Sequence, residues 1–149
     1  MSLKTRILFD GNDRVTVLTT FLAETIAAGS PTTLIDASGL LNAKTTGSDF
    51  RLSFESASWS VSGSELTLVF LDTTPANSSQ IVSFGNQTSG RVNCLIANDT
   101  AAPNGGNIAC HTSNVAITGH VIMTFKKANN YDFTGNRYRK VGQPNPYIS

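Results

Sequence analysis

One cysteine and two histidines lie close together late in the sequence, and these residue types are suited to metal binding or nucleophilic catalysis. They are Cys110, His111 and His120, and the other cysteine is Cys94. Zinc sites usually take ligands in local pairs separated by a few residues, and this spacing provides no such pair. Because neighbouring residues of a strand face opposite sides, Cys110 and His111 would point apart. The pattern favours buried thiols and ordinary histidines.

Signals for catalysis are equally weak. The chain has no Gly-x-Ser-x-Gly motif, and neither cysteine lies in an activating motif. Residues 10–13 resemble the start of a calcium loop but lack its later glycine and its glutamate at the twelfth position. We expect no enzymatic activity and no metal or other cofactor, with a carboxylate or Cys/His hydrolase as an alternative. The acids that could form a catalytic pair, but fit solvated positions better, are Asp36, Asp49, Glu55, Glu65 and Asp72.

The composition describes a weakly charged chain. Charged residues make up 14% of its 149 residues and the formal net charge is +1, against about 25% charged residues in an ordinary soluble domain. Without a strong overall field, binding to nucleic acid or an anionic membrane would need a local basic cluster. The longest apolar runs, 66–71 and 120–125, are far shorter than a membrane span. We expect a soluble protein made in a cytoplasm, with reduced thiols as the default and a disulfide as the alternative.

Strict alternation of apolar and polar residues is the main structural signal. It runs through 50–54 and 57–61 and, after a turn at Gly63, through 66–70, which predicts a hairpin. The turn formers at 98–107 predict a loop. Further strands are predicted at 5–9, 14–22, 32–38, 80–84, 91–97 and 115–126. The predicted core comprises Phe50, Phe54, Trp59, Leu66, Leu68, Phe70, Ile122 and Phe125.

These strands predict an all-β fold, an antiparallel β-sandwich or a jelly-roll-like arrangement, with extended N- and C-terminal arms. The best alternative for residues 19–29 is a helix, which their threonine and isoleucine content disfavours. Residues 1–128 are predicted to form the β domain. Residues 129–149 contain two prolines, which cannot lie in a central strand, and are predicted to form an arm.

The two ends are predicted to contact neighbouring subunits. The N-terminal segment is the strand Leu3–Phe9, and the C-terminal arm carries interleaved arginines and tyrosines. The basic tail could also contact a nucleic-acid backbone, but three positive charges within 137–140 make a weak patch, so protein contacts are favoured. The candidate subunit-contact residues are Lys4, Arg6, Tyr131, Arg137, Tyr138, Arg139, Lys140 and Tyr147.

Residues 14–127 contain an Ile-Asp-x-Ser-x-Leu segment at 35–40, then a serine-rich predicted hairpin around Trp59, and a closing glycine-bearing segment that ends in Phe-Lys-Lys at 125–127. This order of segments resembles that of small virion structural proteins of tailed bacteriophages. The resemblance implies a β-sandwich decoration (cement) protein on the capsid exterior, made in the host cytoplasm and located in the virion. It also implies the major capsid protein or other virion subunits as partners and a homo-oligomer such as a trimer. The short apolar runs argue against a membrane partner, and the small net charge disfavours a nucleic-acid partner. Cys110 and His111 depart from the pattern. The matching residues are Ile35, Asp36, Ser38, Leu40, Trp59, Val61, Gly63, Gly106, Ile108, Gly119, Phe125, Lys126 and Lys127.

Two other functions fit the same pattern. One is a neck, tail or fibre-anchor component of a phage particle. The other is a carbohydrate-binding β-sandwich module, which would need Trp59 exposed on a concave face, whereas the alternation places it inward with Val61. A weakly charged surface rich in serine, threonine and asparagine is covered by other subunits at little desolvation cost, which favours a structural protein.

Overall fold

The structure is a computed structural model that describes residues 2–44, 50–101, 103–129 and 131, without the side chains of 103–105 and 129. Nearly all of the described residues lie in strands or in the turns between them. Two single 3₁₀ turns occur, at Ala37–Gly39 and Pro75–Asn77. The strands are β1 (Ser2–Asp10), β2 (Arg14–Glu24), β3 (Thr32–Ile35), β4 (Arg51–Ser62), β5 (Leu66–Asp72), β6 (Ser79–Phe84), β7 (Thr88–Ile96), β8 (Pro103–His111) and β9 (Ile117–Asn129).

The strands form two antiparallel sheets that pack as a β-sandwich. Sheet A has the order β1-β2-β9-β4-β7, and sheet B has the order β3-β8-β5-β6. The pairing is nested: β2 pairs with β9, β3 with β8, β4 with β7 and β5 with β6. This nesting is the wrapped arrangement of a jelly roll, to which β1 adds a ninth strand at one edge. The predicted all-β sandwich is confirmed, and residues 19–29 form no helix because most of them belong to β2.

The predicted hairpin of residues 57–70 is wrong. β4 and β5 lie in different sheets, so the turn between them is a corner of the sandwich. Gly63 makes this corner at φ +96°, where a Cβ would lie 2.6 Å from the carbonyl oxygen of Ala116. The glycine is required because the corner passes against the backbone that leads into β9. β8 and β9 also lie in different sheets, so the connection between them is another corner of the sandwich.

Most of the predicted core is confirmed, with two exceptions on β4 and β9. Trp59 is only partly buried, although its ring stacks on Phe84 of sheet B at 4.5 Å. The prediction that Ile122 lies in the core is wrong. Side chains alternate along a strand, and Val121 and Met123 face the core, so Ile122 lies on the outer face of sheet A. The confirmed residues, all at most 3% exposed, are Phe50, Phe54, Leu66, Leu68, Phe70 and Phe125.

A β-bulge at Glu55 explains why the apolar positions of β4 change from even to odd numbers. Phe54 pairs with Phe125, and Ser56 pairs with the adjacent Thr124, so Glu55 is an extra residue in the ladder. A bulge shifts the alternation by one residue. Segments that look out of phase in the sequence therefore share one core-facing side of a single strand.

Candidate subunit-contact surface

Strand β1 extends sheet A beyond the part that packs against sheet B. Its substantial contacts are all with β2. Ile7 pairs with Val17 and shares its face, yet Val17 is fully buried and Ile7 is 52% exposed. Within the described ranges, no strand pairs with the other edge of β1. β1 therefore offers two faces and one free backbone edge, over a length of about 30 Å.

The second half of β1 carries an unusual run of exposed apolar side chains. Ile7, Leu8 and Phe9 are consecutive and are 52%, 45% and 57% exposed. Leu41 is also exposed, and its backbone N–H donates to Oδ2 of Asp10, the residue that follows this run, at 2.9 Å. A solvated strand rarely exposes three consecutive apolar residues without a function. The register places Ile7 on the face of Val17 and Phe9 on the outer face with Thr16, and Leu8 lies at the bulge between them. We call these three residues and Leu41 the β1 apolar patch, which surrounds the end of the strand.

The first half of β1 carries the two predicted contact residues Lys4 and Arg6. Both are exposed on the outer face of sheet A, where they line a shallow depression of about 190 Å³ with Leu18 and Thr20. Cationic side chains on an edge strand oppose indiscriminate strand pairing. β1 is thus divided into a charged half and an apolar half.

A buried lysine fixes the end of β1 against the core. The ammonium group of Lys127 is fully buried and donates to Asp10 Oδ1 at 2.6 Å, to the carbonyl oxygen of Gly11 at 2.7 Å and to that of Leu41 at 2.8 Å. It also lies 5.5 Å from the ring centroid of Tyr131. These contacts join the β1–β2 turn, the loop at Leu41 and the end of β9. A buried cation needs such complete pairing to remain charged.

Tyr131 lies in the interior, which corrects the expectation that it contacts a neighbour. Its side chain is 5% exposed, its hydroxyl donates to the carbonyl oxygen of Ala37 at 2.8 Å, and its ring meets Phe50 edge-on at 5.5 Å. Burial raises the pKa of the Tyr131 hydroxyl. The other predicted contact residues of the arm lie outside the described residues. They are Arg137, Tyr138, Arg139, Lys140 and Tyr147.

The cysteines and histidines do not converge. Cys110 is fully buried in the core, where burial raises the pKa of its thiol to about 12, so it is not a thiolate nucleophile at neutral pH. His111 follows on the opposite face of β8, and burial lowers its pKa against an opposing effect of Glu65. Cys94 lies exposed on β7, which corrects the expectation of two buried thiols; both are free. Among the described residues, no three His, Cys, Asp or Glu side chains are grouped to hold a metal ion.

Three of the acids considered for catalysis have structural contacts, and Asp49 lies outside the described residues. Glu55 accepts from Arg14 Nε at 2.9 and 3.0 Å. Asp36 caps the 3₁₀ turn at Ala37–Gly39, since its side chain accepts from the backbone N–H of Ser38. Asp72 accepts from the backbone N–H of Thr74 at 2.8 Å. These carboxylates stabilise local structure.

Comparisons with known proteins add one distant neighbour. No family model matches this sequence, and no curated protein matches it. Among solved structures, the coat protein of Tobacco streak virus is similar, with 15% identity, a TM-score of 0.28, and coverage of 91% of this chain and 99% of that chain. That neighbour is a virion structural protein, but likeness at this level carries no argument about function, and it lends no support to a tailed-phage origin. Within the described segments, no helix is long and apolar enough to cross a membrane.

Proposed function

We propose that this protein is a non-enzymatic structural subunit of a virion, a decoration (cement) protein that docks onto neighbouring shell subunits through β1. The observation that carries the proposal is the β1 apolar patch, which lies on a strand that projects beyond sheet B and has a free edge. An exposed apolar patch on an unpaired edge is suited to being covered by another protein. The neighbours would be copies of this chain or the major capsid protein.

The size of the patch fits a contact that is weak alone and strong when repeated. Full burial of one large apolar side chain contributes about 1.5–3 kcal/mol. Because Ile7, Leu8 and Phe9 are each about half exposed, covering them would contribute about 1 kcal/mol each. Such contacts become stable when a subunit makes several of them at once in a lattice. A shell component needs this additive stability and no chemical step.

The interior of the sandwich is consistent with a structural role. Fully buried apolar side chains such as Leu66, Met123 and Phe125 fill the space between the sheets. The partly exposed Trp59 stacks on Phe84, and its indole N–H donates to Thr88 Oγ1 at 3.0 Å. An indole held in this way does not offer a free face for stacking on a sugar, which disfavours a carbohydrate-binding module.

The proposal is tested by adding charge to the β1 apolar patch. The full-length Ile7→Glu/Leu8→Glu variant is compared with wild type by sedimentation velocity over a wide concentration range, alone and with purified shells. The matched control is Leu95→Glu/Val115→Glu, which places the same charges at apolar positions 64% and 49% exposed and away from β1. We expect the β1 variant to associate at least roughly tenfold more weakly and the control to behave as wild type.

Two results would count against the proposal. One is a wild-type protein that stays monomeric at all concentrations and does not bind shells. The other is equal weakening by both double variants, which would mean that general charge, and not the β1 apolar patch, controls association. Imaging of labelled protein on particles would distinguish a capsid position from one in the neck or tail.

A further inference from the structure

The outer face of sheet A carries a row of residues that crosses all five strands. Arg6 on β1 pairs with Leu18 on β2, which pairs with Ile122 on β9, then Ser58 on β4 and Arg91 on β7. The row begins and ends with an arginine. Because neighbouring strands lie about 4.8 Å apart, the backbones of the two arginines are about 19 Å apart.

The next row toward the end of the sheet has the same character. It runs from Lys4 through Thr20, His120 and Ser60 to Ser89. Lys4 stands two residues from Arg6 on the same strand, about 7 Å away and on the same face. The two rows together present three permanent cations, four hydroxyl groups of Thr20, Ser58, Ser60 and Ser89, and an imidazole. We call these two rows the basic face.

Acidic residues are nearly absent from this side of sheet A. In the described part of the chain, the register places one acid on it, Glu55, and its carboxylate is bonded to Arg14. Within the same residues, Lys4, Arg6 and Arg91 form no ion pair. The small net charge of the sequence therefore conceals a segregation, since cations from strands far apart in sequence gather on one side.

We propose that the basic face binds the phosphate backbone of single-stranded nucleic acid. Lysine, arginine, serine and threonine side chains are the groups that contact phosphates without reading sequence. The face also has two shallow depressions, one lined by Lys4 and Arg6 and the other by Ser58 and Arg91, each of about 190 Å³. A strand lying across the sheet would meet cations at both ends and hydroxyls between them. The sequence disfavours a nucleic-acid partner for lack of a strong basic cluster, whereas the fold places Lys4, Arg6 and Arg91 on one face of sheet A together with hydroxyl groups.

The composition of the face favours nucleic acid over an acidic protein. Centres of protein interfaces are depleted in lysine and serine and enriched in aromatic residues and arginine. The basic face contains two arginines, but it also contains a lysine and three serines and has no Phe, Tyr or Trp, and its apolar part is limited to the half-buried Leu18 and Ile122. On this chain the patch suited to protein contact is the separate β1 apolar patch. The inference does not rest on the proposed virion function, because binding is measured on the isolated protein.

The test is binding of a fluorescein-labelled oligouridylate of about 20 nucleotides to full-length protein, followed by anisotropy at several salt concentrations. With about three phosphate contacts, log K should fall with log salt at a slope of about −2. In Arg6→Glu/Arg91→Glu, we expect the affinity at low salt to fall at least roughly tenfold and the slope to shrink by about 1.4. The single variant Arg91→Glu has Lys44→Glu as its matched control, because both make the same change of charge and Lys44 is exposed in a loop outside sheet A. We expect Arg91→Glu to weaken binding more than Lys44→Glu.

The C-terminal arginines and lysine provide the decisive comparison. Arg137→Glu/Arg139→Glu/Lys140→Glu in the full chain should retain the salt slope if the basic face holds the strand. The inference is overturned if this variant abolishes binding while Arg6→Glu/Arg91→Glu retains it, if wild type does not bind at low salt, or if polyglutamate competes as well as oligouridylate. Circular dichroism of each variant confirms the fold, and Arg6→Gln/Arg91→Gln repeats the test without added negative charge.

Discussion

Replacing the buried lysine at the end of β9 tests how the fold is held together beneath the contact surface. Lys127→Met keeps most of the side-chain volume but removes the ammonium group that binds Asp10, Gly11 and Leu41. The carboxylate of Asp10 and two backbone carbonyls then lose their shared donor. A buried acceptor without a donor is destabilising by about 1–3 kcal/mol.

The expected loss in the free energy of unfolding follows from the solvent exposure of Asp10 and Lys127. Removing one member of a buried ion pair costs about 3–5 kcal/mol. The Asp10 side chain is 22% exposed while that of Lys127 is fully buried, so water partly replaces the lost donor. We therefore expect about 3 kcal/mol, the lower end of that range. For a chain of this length the melting temperature would fall by about 6–12 °C.

The assay is urea unfolding followed by the fluorescence of Trp59, the single tryptophan, whose stacking on Phe84 reports contact between the sheets. A double-mutant cycle with Asp10→Asn isolates the pair, and a coupling energy of at least about 1 kcal/mol is expected. Lys126→Met is the control, because this neighbouring lysine is exposed and should change stability by less than about 0.5 kcal/mol. Additive single effects, or equal effects of the two lysine variants, would refute the role of the buried pair.

Two further predictions concern a backbone position and alkaline pH. Gly119→Ala should lower the free energy of unfolding by at least about 2 kcal/mol, because φ is +141° and a Cβ would lie 2.1 Å from the Ser60 carbonyl oxygen. The control Gly29→Ala should be neutral, because the space around Gly29 is open. Equal urea midpoints for the two variants would contradict this. Cys110 and Tyr131 have pKa values raised by burial, so the unfolded chain releases protons that the folded chain retains. The stability contributed by these two groups should be constant below about pH 9 and should then fall by about 1.4 kcal/mol per pH unit for each group that titrates. Cys110→Ala should reduce the slope seen in urea titrations between pH 9 and 11.

Most strands and most of the core could be predicted from the sequence, because both depend on the local alternation of apolar and polar residues. Residues 50–54 and 66–70 show a strict period of two, and their apolar members are buried as predicted. Ile122 was misassigned because it lies an odd number of residues from Phe125 on one regular strand, so the two cannot share a face. β8 was not among the predicted strands, because Gly106 and its polar neighbours predict a loop.

The connections between strands depend on information that the sequence does not carry locally. Gly63 signals a turn, but only the packing of the two sheets decides whether that turn closes a hairpin or crosses the sandwich. The conformation of Gly106, φ +75°, is explained by its approach to the backbone of Phe50, more than fifty positions earlier. Such contacts between distant segments appear only after folding.

Part of the candidate subunit-contact surface could be predicted from the sequence. Lys4 and Arg6 were predicted as contacts and are exposed on β1. The apolar run at Ile7–Phe9 was visible as a strand, but its exposure depends on β1 projecting beyond sheet B, which alternation cannot show. Arg91 gave no signal at all, because its place on the same face of sheet A as the β1 cations arises from strand order. A basic face assembled from five strands has no linear motif.

The buried pair and the contact surface are mechanically connected. The β1 apolar patch ends at Asp10, and Asp10 is held by Lys127 from the core side and by the Leu41 N–H from the loop side. Since β1 has few contacts beyond its pairing with β2, this junction limits how far the strand can move relative to sheet B. Ordering a mobile strand on binding would cost about 1–2 kcal/mol per residue in backbone entropy. A strand held in place in advance avoids part of that cost, so the buried lysine would favour the proposed association without contacting the partner.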